Sequence, residues 1–179
     1  VVSDVDSNGY DDILVWNGDA IFVLENYGSE ADWEYSLIAN RLQSTGQSYF
    51  VLPDGSTQDL PFNTIGINDI SVGDIDGDGL DDIVLASIDR HPDGQISVLS
   101  NNGDGTWGAE VIATGIGDSG GRLELVKSDG SQEYIFSAID VDTSVDIFAV
   151  DQIVVSDVDG NGYDDILVYN GEAIFVLEN

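Results

Sequence analysis

The sequence contains no cysteine, no methionine, a single histidine and only four basic residues. Without cysteine the chain can form neither a disulfide framework nor a thiolate metal site. The one histidine, His91, lies between Arg90 and Pro92 in a predicted turn, so histidine-dependent nucleophile triads have no basis. We therefore expect a protein that is not an enzyme, although a glycosidase-like carboxylate pair among the acidic residues stays open.

Acidic residues dominate the charge balance, with 35 of them and a formal net charge of −31. Such a surface repels nucleic acid and anionic lipid, and its natural counter-ions are divalent cations. No apolar run approaches the roughly 18 residues of a membrane span, so we expect neither nucleic acid binding nor membrane insertion. The chain begins at Val1 rather than at a methionine, which favours a mature product or an excerpt from a longer chain.

An internal repeat organises the chain. Residues 1–26 recur as residues 154–179 with only three differences, in which Ser7 becomes Gly160, Trp16 becomes Tyr169 and Asp19 becomes Glu172. A short Asp-rich loop occurs three times, at intervals of 70 and 83 residues, so the basic unit has roughly 75 residues. The predicted units are 1–73 with its loop at 4–12, 74–153 with its loop at 74–82, and the start of a third unit at 154–179 with its loop at 157–165.

Short apolar runs after the loops predict strands. In the first unit the run at 13–16 is followed by Asn17-Gly18, a tight hairpin turn, and by a second run at 21–24. Continuous apolar runs of this length indicate strands that are buried on both faces. The segment from Ser29 to Gln43 fits either a helix or a strand, and we favour a strand because it aligns with a turn-and-strand segment of the second unit.

The loop pattern Asp-x-Asp-x-(Asp/Asn)-Gly-x-x-Asp has the logic of a calcium site. Calcium takes six to eight oxygen ligands at about 2.3–2.6 Å. Alternate residues at positions 1, 3 and 5 can turn short oxygen-bearing side chains inward, and glycine at position 6 allows the sharp turn. The carbonyl of position 7 and a carboxylate at position 9 complete the set, which predicts about three calcium ions per chain.

The predicted ligands therefore occupy five equivalent positions in each loop. They are Asp4, Asp6, Asn8, the Tyr10 carbonyl and Asp12; Asp74, Asp76, Asp78, the Leu80 carbonyl and Asp82; and Asp157, Asp159, Asn161, the Tyr163 carbonyl and Asp165. Solvated Asp-Gly turns are the simpler alternative, but three complete copies in register argue against it. An EF-hand needs flanking helices and a glutamate at position 12, where this chain has an apolar residue.

The sequence also supports predictions for three further groups of residues. Asp11, Asp81 and Asp164 are left over from the ligand sets, and we expect them to face solvent or lie just outside those sets. The segment 140–146 resembles a shortened loop without glycine and is not expected to bind metal. The tryptophans Trp16, Trp33 and Trp107 could stack on sugars, but their positions on or beside strands favour core packing.

With these loops, the apolar run after each, and the segment from Val98 to Trp107, the chain resembles the FG-GAP and VCBS repeat families. The resemblance implies an all-β fold of tandem four-stranded antiparallel blades in a β-propeller-like repeat array, with calcium in the loop between the first two strands of each blade. The literal Phe-Gly and Gly-Ala-Pro signatures are missing, and Trp107-Gly108-Ala109 is the nearest trace. The units exceed the usual blade length, which predicts an inserted hairpin around 53–55 and 129–130.

The function that follows is a calcium-binding structural or adhesive repeat module, secreted or at the cell surface. We expect it to belong to a longer tandem array or a self-assembling filament, so its partners are adjacent repeats or further copies of itself. Two alternatives stay open: a propeller module that recognises a glycan or protein ligand, and an accessory domain of a secreted polysaccharide-degrading enzyme.

Overall fold

The computed structural model is all-β, and no helix occurs among the residues it describes. Those residues are 1–28, 33–41, 46–62, 66–87, 94–116, 122–126, 131–137, 150–169 and 174–179. Their strands form three antiparallel sheets, which we call the first, middle and last sheets. In each sheet every strand pairs with its neighbours in the sequence.

The first sheet contains six strands in chain order. They are β1 (Val2–Ser3), β2 (Asp12–Trp16), β3 (Ile21–Asn26), β4 (Trp33–Arg41), β5 (Ser48–Val51) and β6 (Thr57–Asp59). The predicted turn at Asn17 joins β2 to β3, with its N–H donating to the Ala20 carbonyl at 3.2 Å. The ambiguous segment from Ser29 to Gln43 is a strand wherever the structure describes it, because β4 pairs with both β3 and β5.

The middle sheet also has six strands, and the last sheet has three. The middle strands are β7 (Ile67–Gly73), β8 (Asp82–Ser87), β9 (Gly94–Leu99), β10 (Glu110–Ile116), β11 (Arg122–Val126) and β12 (Gln132–Ser137). The last strands are β13 (Gln152–Ser156), β14 (Asp165–Tyr169) and β15 (Ile174–Leu177).

The six-stranded sheets differ from the four-stranded blades that the resemblance implies. The additional strands form the hairpins β5–β6 and β11–β12, in the regions where the unit length predicts an insertion. Around Gly55 the turn is closed by its N–H, which donates to the Leu52 carbonyl at 2.8 Å. The second predicted turn, at 129–130, lies outside the described residues. The sheets that the structure describes do not close into a propeller ring.

Two apolar cores lie at the junctions between consecutive sheets. The first combines residues of the first sheet, such as Phe50, with Ile83 and Leu85 of β8. The second combines Val84 and Ala86 of the same strand with residues of the last sheet. Because neighbouring side chains of a strand point to opposite faces, the middle sheet is buried on both faces by its neighbours.

How far a strand is buried therefore depends on whether its sheet has a neighbouring sheet on one face or on both. The prediction of burial on both faces is correct for β8, in which every residue is buried. It is wrong for β2, where Ile13 and Val15 are 37% and 38% exposed, because no described sheet covers that face. Among the tryptophans, Trp16 and Trp107 pack against the first core as expected, whereas Trp33 is 45% exposed.

Candidate metal centres

Each Asp-rich loop connects the first strand of a sheet to its second strand. The first loop joins β1 to β2, the second joins β7 to β8, and the third joins β13 to β14. These strand pairs are hydrogen-bonded to each other, which holds the two ends of each loop at a fixed separation. Strands rather than helices flank the loops, so the EF-hand arrangement does not apply to them.

The aspartate at loop position 1 gathers backbone N–H groups from its own loop. Asp4 accepts the Asn8 N–H at 3.0 Å on Oδ1 and the Gly9 N–H at 2.9 Å on Oδ2. In the other two loops the position-6 glycine donates in the same way, Gly79 to Asp74 at 2.9 Å and Gly162 to Asp157 at 3.0 Å. The three glycines have φ values of 91°, 87° and 95°, a region that favours glycine over any L-residue.

The aspartate at loop position 9 is buried and held at both carboxylate oxygens. Asp82 accepts the Ile75 N–H at 3.0 Å and the Asn101 N–H at 2.9 Å. Asp12 and Asp165 have the equivalent pairs of donors, and all three side chains are shielded from solvent. Each carboxylate thus joins its loop to the end of the third strand of its sheet, so the backbone fixes where the oxygens lie.

Three aspartates converge in every loop, from positions 1, 3 and 9. One carboxylate oxygen of each lies within 4.8 Å of the other two. Oxygens on opposite sides of one calcium ion are about 5 Å apart, since each is about 2.3–2.6 Å from the ion. These clusters therefore have the size to hold one divalent cation each. They are Asp4, Asp6 and Asp12; Asp74, Asp76 and Asp82; and Asp157, Asp159 and Asp165.

The predicted ligands at positions 5 and 7 form a tight turn. In each loop the position-5 side-chain oxygen accepts the N–H of the position-7 residue at 2.7–2.8 Å. The pairs are Asn8 with Tyr10, Asp78 with Leu80, and Asn161 with Tyr163. The Asp78 carboxylate does not belong to the converging group of the middle loop. The position-5 oxygens and position-7 carbonyls stay predictions as metal ligands.

Burial and backbone hydrogen bonds shift the pKa values of the position-9 aspartates in opposite directions. Burial raises the pKa of Asp82 to about 6, and the nearby Asp76 carboxylate adds to the shift. The pKa of Asp12 is also raised, with burial again the leading cause. The pKa of Asp165 is lowered instead, because its backbone donors, the Asn179 N–H first, outweigh a weaker loss of hydration. A cation among the carboxylates would stabilise their charged forms in all three loops.

The aspartates at position 8 do not all face solvent. Asp11 is exposed, as expected. Asp81 accepts a hydrogen bond from the Ser3 hydroxyl, and Asp164 accepts the Asp74 N–H at 3.0 Å. Asp11 thus fits the solvent-facing alternative, whereas Asp81 and Asp164 lie just outside the ligand sets, and each reaches across a junction to the preceding sheet.

A recurring asparagine was missed by the motif reasoning. The Asn101 side chain donates to the Val5 carbonyl at 2.8 Å, and the Asn179 side chain donates to the Ile75 carbonyl. Each contact joins the end of a third strand to the loop of the preceding sheet. The signal was present in the sequence as a Leu-x-Asn triplet that recurs at 24–26, 99–101 and 177–179.

Three other loop segments have simple outcomes. The shortened loop at 140–146 and the turn around His91 lie outside the described residues. The segment from Asn101 to Gly105 connects β9 to β10, and the Asn102 N–H donates to the Thr106 carbonyl at 3.1 Å.

Comparison with protein families finds no family model that matches this chain, and comparison with curated proteins finds no match either. The FG-GAP and VCBS resemblance therefore depends on the loop and strand residues alone and stays a prediction. Within the described part of the chain, none of the elements is a helix of the length and apolarity needed to cross a membrane.

Proposed function

We propose that this chain is a calcium-binding, non-enzymatic structural or adhesive repeat module that works outside the cell or at its surface. The observation that carries the proposal is the convergence of three carboxylates in each of three equivalent loops. The donor atoms are all oxygens, which suit hard cations rather than the metals that prefer nitrogen or sulfur.

Calcium fits these loops better than magnesium. Magnesium demands near-ideal octahedral geometry at about 2.0–2.1 Å and keeps several waters, whereas calcium tolerates irregular sets of carboxylates and carbonyls. Each loop offers such an irregular set on a short, tightly turned backbone. Calcium is millimolar outside cells and scarce in the cytosol, which is the reason for proposing an extracellular location.

The ion would act as a cross-link within each sheet. In the middle loop, Asp74 follows β7, Asp82 begins β8, and Asp82 also accepts the N–H of Asn101 just after β9. A cation that binds both aspartates would thus link three strands. Three divalent ions would also bring the formal charge from −31 to −25, which lowers the repulsion among acidic groups.

Thermal unfolding with and without calcium tests this proposal. A ligand at one hundred times its Kd adds about 2.7 kcal/mol per site, so three sites approach about 8 kcal/mol. That is comparable to the whole stability of an ordinary domain, about 5–15 kcal/mol. We expect a much lower melting temperature in chelator than in millimolar calcium, and a smaller gain with magnesium. Superimposable curves in chelator and calcium would contradict the proposal.

A cavity between the first and middle sheets favours a second candidate, a module that binds a glycan or protein ligand. The cavity has a volume of about 670 Å³ and is lined by apolar groups including Leu37, Pro53, Leu80 and Trp107. The carboxylates of Asp6, Glu25 and Asp104 also line it. An apolar and aromatic lining with a few polar groups is typical of ligand pockets. Glycan-array binding that Trp107→Ala abolishes would support this candidate, and an array without any signal would reject the glycan form of it.

A further inference from the structure

The first sheet leaves uncovered a set of residues that the last sheet buries. In the last sheet, Val155, Ile166, Val168, Phe175 and Leu177 pack in the core that faces the middle sheet. The equivalent residues of the first sheet are identical in type: Val2, Ile13, Val15, Phe22 and Leu24. We call this set the leading face. Its Val2 side chain is 60% exposed, and Ile13 and Val15 are 37% and 38% exposed.

The last sheet likewise has an exposed face, and this face repeats one that the first sheet buries. In the first sheet, Leu14, Ile21 and Val23 are at most 3% exposed in the core shared with the middle sheet. The last sheet repeats these residues as Leu167, Ile174 and Val176, which we call the trailing face. There Ile174 is 67% exposed and Val176 is 38% exposed. Each open face therefore repeats a face that the molecule buries elsewhere.

Polar contacts between sheets also recur at both described junctions. The position-8 aspartate of one sheet contacts the end of β1 or β7 in the sheet before it, and the asparagine after the third strand donates to the position-2 carbonyl. The first sheet has the same two side chains, in Asp11 and Asn26, beside its leading face. The last sheet has the matching backbone groups at Asp157 and Val158.

Loop position 4 holds a small residue at both described junctions, Gly77 at one and Ser7 at the other. The Tyr163 ring lies over Gly77, where an added Cβ would be 2.2 Å from the nearest ring carbon. At the other junction the residue equivalent to Tyr163 is the smaller Leu80 and position 4 is Ser7, and both line the cavity between the two sheets. The trailing loop has Gly160, above which there is open space. The leading loop has Tyr10, whose ring packs over Gly28 of its own sheet and is still 50% exposed.

We propose that the leading face of one molecule docks onto the trailing face of a second copy of this chain, head to tail. In this contact Tyr10 covers Gly160, the Asp11 carboxylate accepts the Asp157 N–H, and the Asn26 amide donates to the Val158 carbonyl. The replacement of Ser7 by Gly160, one of only three differences between the two 26-residue copies, makes room for the tyrosine ring.

This docking deepens the proposed structural role, and rests on it, by naming the partner. A heterologous contact of this kind builds an open filament unless its rotation closes a ring. Two chains that each have a formal net charge of −31 repel each other strongly. We therefore expect docking only when calcium is bound and dissolved salt screens the remaining charge. At about 0.15 M ionic strength the screening length is about 8 Å.

Sedimentation velocity of the 179-residue chain in calcium and about 0.15 M salt tests the docking. We expect association that grows with concentration. Gly160→Ser should weaken it at least tenfold, because the serine Cβ would overlap the Tyr10 ring. Serine is compatible with this backbone, since Ser7 has a φ of 58° at the equivalent position, and circular dichroism checks the fold.

A compensating pair makes the test specific. Gly160→Ser combined with Tyr10→Leu recreates the Ser7 and Leu80 combination of the first junction and should restore association. The control is Asn102→Ala, which removes an exposed, uncharged side chain on the β9–β10 connection of the middle sheet, outside the leading and trailing faces, and should change nothing. A chain that stays monomeric while binding calcium, or a Gly160→Ser variant that associates like the wild type, would overturn the docking alone. Association without any calcium binding would instead overturn the metal proposal.

Discussion

Within a loop, the three converging aspartates differ in their burial and in how many backbone N–H groups they accept. In the middle loop, Asp74 accepts N–H groups from Gly77 and Gly79, and Asp82 is buried with both oxygens engaged. Asp76 is exposed and accepts the Asp78 N–H at 3.1 Å. Replacing Asp74 or Asp82 would disturb the fold as well as the ion. Asp76 is therefore the residue at which metal binding can be tested with the least structural damage.

We predict that Asp76→Ala removes one calcium ion and leaves the other two. Equilibrium dialysis should give two ions per chain at saturation, and stability in calcium should fall by about 2.7 kcal/mol at one hundred times Kd. Asp54→Ala is the matched control, because Asp54 is exposed and accepts one short-range N–H from Ser56 at 2.8 Å. A variant that keeps the full complement of calcium would show that the middle cluster is not a metal site.

The buried asparagine after β9 gives a second prediction at the residue scale. Asn101 is 6% exposed, donates to the Val5 carbonyl at 2.8 Å and accepts the Gly103 N–H at 3.0 Å. Asn101→Ala should cost about 1–3 kcal/mol of unfolding free energy, because it leaves buried polar groups without partners. The exposed neighbour Asn102 is the control, and Asn102→Ala should cost under about 0.5 kcal/mol. Urea unfolding measures both, and equal losses would contradict the assigned role.

The loop motif predicts residues whose partners are close in sequence and misses those whose partners are distant. The aspartates at positions 1, 3 and 9 follow from coordination chemistry within nine residues. The contact between Asn101 and Val5 spans 96 residues, and that between Asp164 and Asp74 spans 90. Such junction contacts depend on how sheets stack, which the local pattern does not specify.

At the scale of elements, similar apolar runs have different burial. The runs in β2 and β8 have equivalent positions in their units, yet only β8 has a packed sheet on each side. Hydrophobic pattern predicts that a strand forms and which faces could be buried. Whether a second face is covered depends on the neighbouring sheet. The extra hairpin β5–β6 was predictable from unit length, since it accounts for residues beyond four strands.

A pair of identical substitutions measures this difference. Val84 of β8 is fully buried, whereas Val15 of β2 is 38% exposed. Val84→Ala should cost about 2 kcal/mol from lost burial and the cavity it leaves, and Val15→Ala less than half as much. Denaturant unfolding at dilute concentration, where copies do not associate, gives both values. Equal costs would mean that the middle sheet is not enclosed as described.

At the scale of the whole molecule, burial and charge oppose each other. Three stacked sheets share two apolar cores, while a formal charge of −31 favours expansion of the chain. The sequence repeat predicts the stacking of equivalent units, because a unit with two apolar faces needs neighbours. In each sheet, the loop between the first and second strands holds one carboxylate cluster, which concentrates part of the negative charge at a fixed point. Bound calcium would reduce the repulsion among the three carboxylates of each cluster.

Isothermal titration calorimetry of calcium into chelator-stripped protein tests the central claim most directly. Three convergent clusters predict saturable binding of three ions per chain. A triple variant, Asp6→Ala, Asp76→Ala and Asp159→Ala, provides the control, because it removes the position-3 carboxylate from every cluster and should abolish the saturable heat. Three ions for the parent chain and none for the variant is the predicted result. Heats that do not saturate in the parent chain, or that are unchanged in the variant, would contradict the account.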